Sequence, residues 1–210
     1  VASDKNNVLA DFLATGTYDR KRPFYTTTSP SMDILVSSNL ERMLYYLADG
    51  DCKLVADLMS KLADEGNYQI PAELLERIRT VFDGGWADED QVAAAIRRCW
   101  DENGYVIDPH TACGYHVMEQ TAAVEGTACR VLLSTASPYK FPKAVAEALG
   151  LFCPPDDFAC MEVLAKHTGT TAPAQLAELK TKPVRFEDVV DVADMGSYVE
   201  QAANRIAEEA

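Results

Sequence analysis

Basic residues, histidines, strand-forming runs and paired cysteines are all scarce in this chain, and each scarcity removes a class of function. Lys and Arg total 19 against 33 Asp and Glu, a formal net charge of −14. Such a surface repels phosphate backbones, so nucleic acid is not an expected partner. No apolar run approaches the roughly 20 residues that span a bilayer, and no signal-peptide pattern opens the chain, so no membrane role is expected. The six cysteines, at 52, 99, 113, 129, 153 and 160, contain no CxxC pair, and Cys153 and Cys160 are isolated from the three histidines. Neither a structural metal nor a disulfide framework is expected; the spacing fits reduced, mostly buried thiols in a cytoplasmic protein. A starting methionine is also lacking, and "VASDKNN" reads as a chain entered in the middle.

What is present is an ordinary globular composition, 48% hydrophobic and 25% charged, with acids scattered as solvated helix faces would scatter them. Val8, Leu9, Phe12 and Leu13 form a helical stripe that stops at Gly16. Ser38 and Glu41 have capping-box spacing ahead of Leu40, Met43, Leu44 and Leu47. Further stripes run through Leu54–Leu62, from Pro71 to Phe82, and from Asp88 to Trp100. Asp108 followed by Pro109 predicts another helix start. Helices are also predicted after Phe141-Pro142, around residues 161–166, and through Val199, Ala203 and Ile206. Strand signals are few: "CRVLLST" (129–135) reads as a buried parallel strand, and "RFEDVVDV" (185–192) is a weaker candidate.

A complete doubly wound domain alternates strands and helices many times. So few strands therefore predict a helix-rich α/β fold with only part of a doubly wound sheet. Residues 1–50 and 108–210 would form part of a large α/β domain, 51–107 a helical insertion, and the N-terminal half would be absent.

Four polar stretches stand apart from any helix's solvent face: "DKNNVL" (4–9), "SPSMD" (29–33), "DPHTA" (108–112) and "STASPYKFP" (134–142). Each has a plain structural reading. Asp108 and Pro109 are a helix start, with His110 a hydrogen-bonded structural residue in the first turn. Ser134 to Pro138 can be a turn that caps the next helix. Asn6 or Asn7 can be an N-cap, and 29–33 a turn. The other reading is a polar rim facing an anion, with Ser134 and Thr135 at a strand's carboxyl end, where α/β sheets gather ligands. His116 and His167 have no recognisable partner and read as structural.

In this order, the four stretches resemble threonine synthase. "SDKNNVLADFLATGTYDR" is similar to the segment that follows the family's glycine-rich phosphate loop, "SPSMDILVSSNLER" to a family signature, and "KPVRFEDVVDVADM" to its closing segment. The likeness covers nearly the whole chain. It implies the C-terminal part of a pyridoxal 5'-phosphate enzyme of the tryptophan-synthase-β fold type. Such enzymes convert O-phosphohomoserine and water to threonine and phosphate, as carbon–oxygen lyases acting on phosphates. By resemblance, Thr135 faces the cofactor's pyridine nitrogen, Lys5 and Asn6 lie toward the substrate's phosphate, and Ser29, Ser31 and Asp33 form a loop beside the substrate. Asp4 stands where the family usually has asparagine, and Ser137 replaces a histidine seen in some relatives.

The family's Schiff-base lysine and phosphate loop lie upstream and match nothing here. The 210-residue chain alone is therefore expected to be inactive, to bind no cofactor, and to self-associate through apolar surface and unpaired sheet edges. Two rival readings remain: an acidic helical interaction module without catalysis, and a related pyridoxal-phosphate enzyme acting on another hydroxy or phospho amino acid.

Overall fold

Capping residues divide the chain into short helices joined by loops that carry the polar stretches. The computed structural model describes residues 1–121 and 129–209. The chain forms two units, Val1–Ala177 and Glu178–Ala210. In the first, the order is β1 (Ala2–Ser3), α1 (Val8–Thr15), β2 (Thr17–Asp19), α2 (Asn39–Leu47), α3 (Cys52–Asp64), β3 (Asn67–Gln69), α4 (Ala72–Arg79), β4 (Gly85–Trp86), α5 (Glu89–Asn103), α6 (Pro109–Gln120), α7 (Pro142–Ala148), α8 (Asp157–Thr168) and α9 (Ala174–Ala177). The second unit carries α10 (Met195–Glu209), whose Tyr198 Oη donates to Oδ2 of Asp188 in the preceding segment at 2.7 Å. No described helix is long and apolar enough to cross a membrane.

The predicted helix ends are present for physical reasons. Gly16 closes α1 at φ +76°, donating its N–H to the Phe12 carbonyl. The left-handed φ favours glycine there, and a Cβ would also press on Leu75 and Ile70 at 3.1 and 3.2 Å. Asp88 and Gln91 make a reciprocal capping box on α5, and Asp51, Asp108 and Asp156 cap α3, α6 and α8. Ser38 does not cap α2: its backbone is helical and its side chain makes no capping bond. That helix is held instead by burying Leu40 and Leu44.

Two hydrophobic cores sit side by side along the sequence of the first unit. One gathers Phe12, Tyr18, Leu44, Leu58, Tyr68 and Ile78, drawn from α1 to α4. The other gathers Val92, Ile96, Cys113, Val145 and Leu164, drawn from α5 to α8. Two short sheets tie them down. β1 and β4 pair in parallel, Ala2 opposite Gly85, and β2 and β3 pair antiparallel, Tyr18 opposite Tyr68.

Three expectations are corrected. Residues 129–135 form no strand: Val131 and Leu133 are 77% and 76% exposed. A fully buried parallel strand needs neighbours on both edges, and none of the described strands pairs with this segment. Residues 185–192 are likewise without strand pairing, with Val189 99% exposed. Cys153 and Cys160 are joined in a disulfide rather than held as thiols. The turn through Pro154–Asp157 folds back into α8 and brings their Cα atoms to 5.4 Å, within bridging range. Cys99 and Cys113 are buried as expected, whereas Cys52 and Cys129 are exposed.

Candidate functional site

The loop before α1, the loop from Tyr25 to Asp33 and the start of α6 converge on one polar cluster. Asn6 is its hub. Its side-chain amide donates to the Tyr25 carbonyl and to Asp33 Oδ1, both at 2.9 Å, and its Oδ1 accepts the Tyr25 N–H. Asp33 accepts from Thr27 twice, from the hydroxyl at 2.7 Å and from the N–H at 2.9 Å. Thr27 Oγ1 also lies 2.9 Å from Asp4 Oδ2, and Ser29 Oγ lies 3.2 Å from the same atom. Asp4, Asn6 and Ser29 are all buried, Asp4 and Ser29 completely.

A second chain of bonds leads from this loop to the segment before α7. Ser31 donates its N–H to His110 Nε2 at 3.1 Å, and His110 Nδ1 lies 2.8 Å from Asp108 Oδ1. Because an amide can only donate, Nε2 carries the lone pair and the ring proton sits on Nδ1, directed at the carboxylate. Asp108 also accepts from the His110 N–H and from the Thr111 hydroxyl. Thr111 Oγ1 in turn accepts the Thr135 N–H at 3.4 Å and lies 3.3 Å from Ser134 Oγ. Thr135 is thus linked to Ser31 through Thr111, Asp108 and His110, while its own side chain is exposed.

The two buried aspartates are driven in opposite directions. Burial, with Asp33 alongside, pushes Asp4 above the usual carboxylate range. Burial also works to raise Asp108, but the hydrogen bonds from His110 and Thr111 together outweigh it and hold that carboxyl low. The Cys113 thiol, 3.9 Å from Ser29 Oγ, is pushed up to about 12 by its burial and is no nucleophile at neutral pH.

Of the residues expected at the site, Lys5 and Ser31 are exposed and Asp33 is partly so. The Lys5 ammonium sits 4.3 Å over the Tyr25 ring. Asn6 and Ser29 spend their side-chain polar atoms inside the cluster. Thr27, Thr111 and the Asp108–His110 pair carry connections that sequence reasoning did not assign. "DPHTA" was visible in the sequence, but local pattern reads it only as a helix start. A cleft of about 390 Å³ runs beside the cluster, between Thr27, Thr28 and Pro30 on one side and Lys140, Phe141 and Lys143 on the other. Thr135 lies outside its lining. An exposed hydroxyl on an anchored backbone suits a partner that is a neutral ring nitrogen, so Thr135 fits a pyridine cofactor supported from elsewhere.

Residues 111–199 match the family model described as threonine synthase, C-terminal. The chain is 33% identical over 216 residues to a threonine synthase of Eremothecium gossypii, covering 96% of this chain and 40% of that one. It is 40% identical over 150 residues to human threonine synthase-like 1, covering 70% of this chain and 20% of that protein. Among solved structures, a PLP-bound threonine synthase from Brucella melitensis superposes with TM-score 0.78 at 34% identity, over 95% of this chain and 39% of that one. The chain spans well under half the length of these relatives. Its helix-rich α/β architecture is theirs, and sequence and fold together assign the chain to the threonine synthase family, as the counterpart of its C-terminal portion.

Proposed function

We propose that this chain is one wall of the active site of a pyridoxal-phosphate enzyme that converts O-phosphohomoserine and water to threonine and phosphate, a carbon–oxygen lyase of the cytoplasm. The observation that supports it most is the continuous hydrogen-bonded path joining the Tyr25–Asp33 loop to Thr135 through Asp108, His110 and Thr111. When bound, the cofactor supplies a conjugated ring that takes up the charge left as protons leave the substrate's α and β carbons. Thr135 offers the ring nitrogen a neutral hydroxyl, which orients the ring without forcing its nitrogen to stay protonated. Lys5 brings a cation toward the substrate's phosphate, and Ser31 and Asp33 present polar groups beside it. Asn6 and Ser29 serve by holding that loop in place rather than by reaching the ligand. Residues 1–50 and 108–210 would belong to the cofactor-binding domain and 51–107 to an insertion.

The test uses the longer polypeptide, containing this chain with the Schiff-base lysine and phosphate loop. It is expected to release phosphate and threonine in equal amounts from O-phosphohomoserine. Thr135→Val there should lower kcat/KM by about tenfold, the loss of roughly one neutral hydrogen bond. The 210-residue chain alone is expected to release none. Absence of threonine from the longer polypeptide refutes this reading; turnover of a different hydroxy or phospho amino acid would favour the related-enzyme alternative.

The isolated chain is also proposed to self-associate. Val131 and Leu133 expose apolar side chains on a segment that pairs with none of the described strands. Sedimentation at micromolar concentration should give a dimer or larger species, and a clean monomer would count against it.

A further inference from the structure

We infer that Asp4 is a neutral carboxylic acid in the folded protein, and that its proton positions the Tyr25–Asp33 loop by donation to Thr27. Thr27 Oγ1 carries one proton, yet it lies within hydrogen-bonding distance of two carboxylates: 2.7 Å from Asp33 Oδ1 and 2.9 Å from Asp4 Oδ2. It also accepts the Ser29 N–H at 3.1 Å. One hydroxyl cannot donate to both acids, so one acid donates to it.

The irreversible donors say which. Asp33 faces two groups that can only give protons, the Asn6 amide at Oδ1 and the Thr27 N–H at Oδ2. Both of its oxygens therefore already accept, which favours the bare carboxylate, the stronger acceptor, at Asp33. Asp4 has one such donor, the Asn6 N–H at 2.8 Å on Oδ1. Its Oδ2 meets the Thr27 and Ser29 hydroxyls, either of which can accept, with the Asp33 carboxylate alongside. The proton therefore rests on Asp4 Oδ2.

The surroundings agree. Asp4 is completely buried, and burial disfavours its ionised form. The titratable groups around it add negative charge or none: Asp33 beside it, and, across Ser29, the protonated Cys113 thiol, which itself faces Glu89 and Asp108. The nearest cation in sequence, Lys5, is exposed and engaged with the Tyr25 ring.

The test compares Asp4→Asn with Asp33→Asn in the full chain. An asparagine at 4 keeps the acceptor for the Asn6 N–H and points an NH₂ at the two hydroxyls, so it preserves every bond. An asparagine at 33 turns an NH₂ against an N–H donor. A raised carboxyl binds its proton more tightly folded than unfolded, so wild-type stability falls as pH rises from about 4 toward the folded value. The D4N protein escapes that fall. Its Tm at pH 8 should exceed wild type by about 3–5 °C for each pKa unit of elevation, the gap closing toward about pH 4. D33N should melt below wild type throughout. Infrared spectra at pH 7 should contain the carbonyl band of a protonated carboxylic acid in wild type and lack it in D4N. Wild type without that band, or D4N melting below wild type at pH 8 or failing to fold, overturns the inference. If D33N proves the better tolerated variant, the proton belongs to Asp33 and the inference is equally lost.

Discussion

Asp108→Ala is expected to cost about 3–5 kcal/mol of folding free energy, the loss typical when one member of a buried, charge-assisted network is removed. The carboxylate is fully buried and caps α6, accepting from the His110 N–H at 2.9 Å, from the Thr111 N–H and hydroxyl, and from His110 Nδ1. Alanine removes the buried acceptor that these donors share. The consequence is not local: His110 loses the bond that fixes its tautomer for Ser31, and Thr111 loses the one that aims its oxygen at the Thr135 N–H. Denaturant unfolding of the chain measures the loss, and a change below about 1 kcal/mol would mean that the capping network contributes no more than an exposed cap does. Asp108 also sets a pH dependence opposite to that of Asp4. Its depressed carboxyl contributes stability above about pH 4, and that contribution is lost as pH falls from there toward the folded value.

Phe12→Ala is expected to be similarly costly, about 3–5 kcal/mol, through lost burial and the cavity left behind. The ring is inaccessible to solvent and packs 6.0 Å from the Tyr18 ring and 6.1 Å from the Tyr68 ring, which stack on each other at 5.4 Å. This aromatic trio joins α1 to both strands of the antiparallel pair. Tyr18 extends the effect, because its hydroxyl donates to the Leu35 carbonyl and accepts the Ser37 N–H, fixing the segment that leads into α2. Urea unfolding with an unchanged slope would report a pure stability loss of this size. A loss under about 1 kcal/mol would show that the neighbours collapse into the space, contrary to the close packing seen.

Helices, their ends and the polar segments were legible in the sequence because each depends on neighbours within a turn or two. The apolar stripe from Val8 to Leu13, Gly16 beyond it, the capping box of Asp88 and Gln91 and the Asp108-Pro109 start all act over such distances. Residues 129–135 show where that reading ends. Their β-branched, apolar composition signals a buried strand, but composition cannot supply the flanking strands that burial requires, and Val131 and Leu133 lie exposed. Ser38 had cap spacing and no cap, because spacing does not fix the backbone angle on which capping depends. The disulfide was missed for a related reason. Cys153 and Cys160 are seven residues apart, and only the turn between them decides whether their side chains meet.

The sequence by itself determined that this chain is helix-rich, acidic and built around four ordered polar segments that resemble one family. Tertiary structure alone decided what those segments do to one another. Asp4 turns inward onto Thr27 and Ser29, Asn6 is consumed in gripping Tyr25 and Asp33, and His110 reaches Ser31 across 79 positions of chain. The reason is that a hydrogen bond depends on where a donor and an acceptor are brought in space, and residues so far apart in sequence carry no local signal of that meeting.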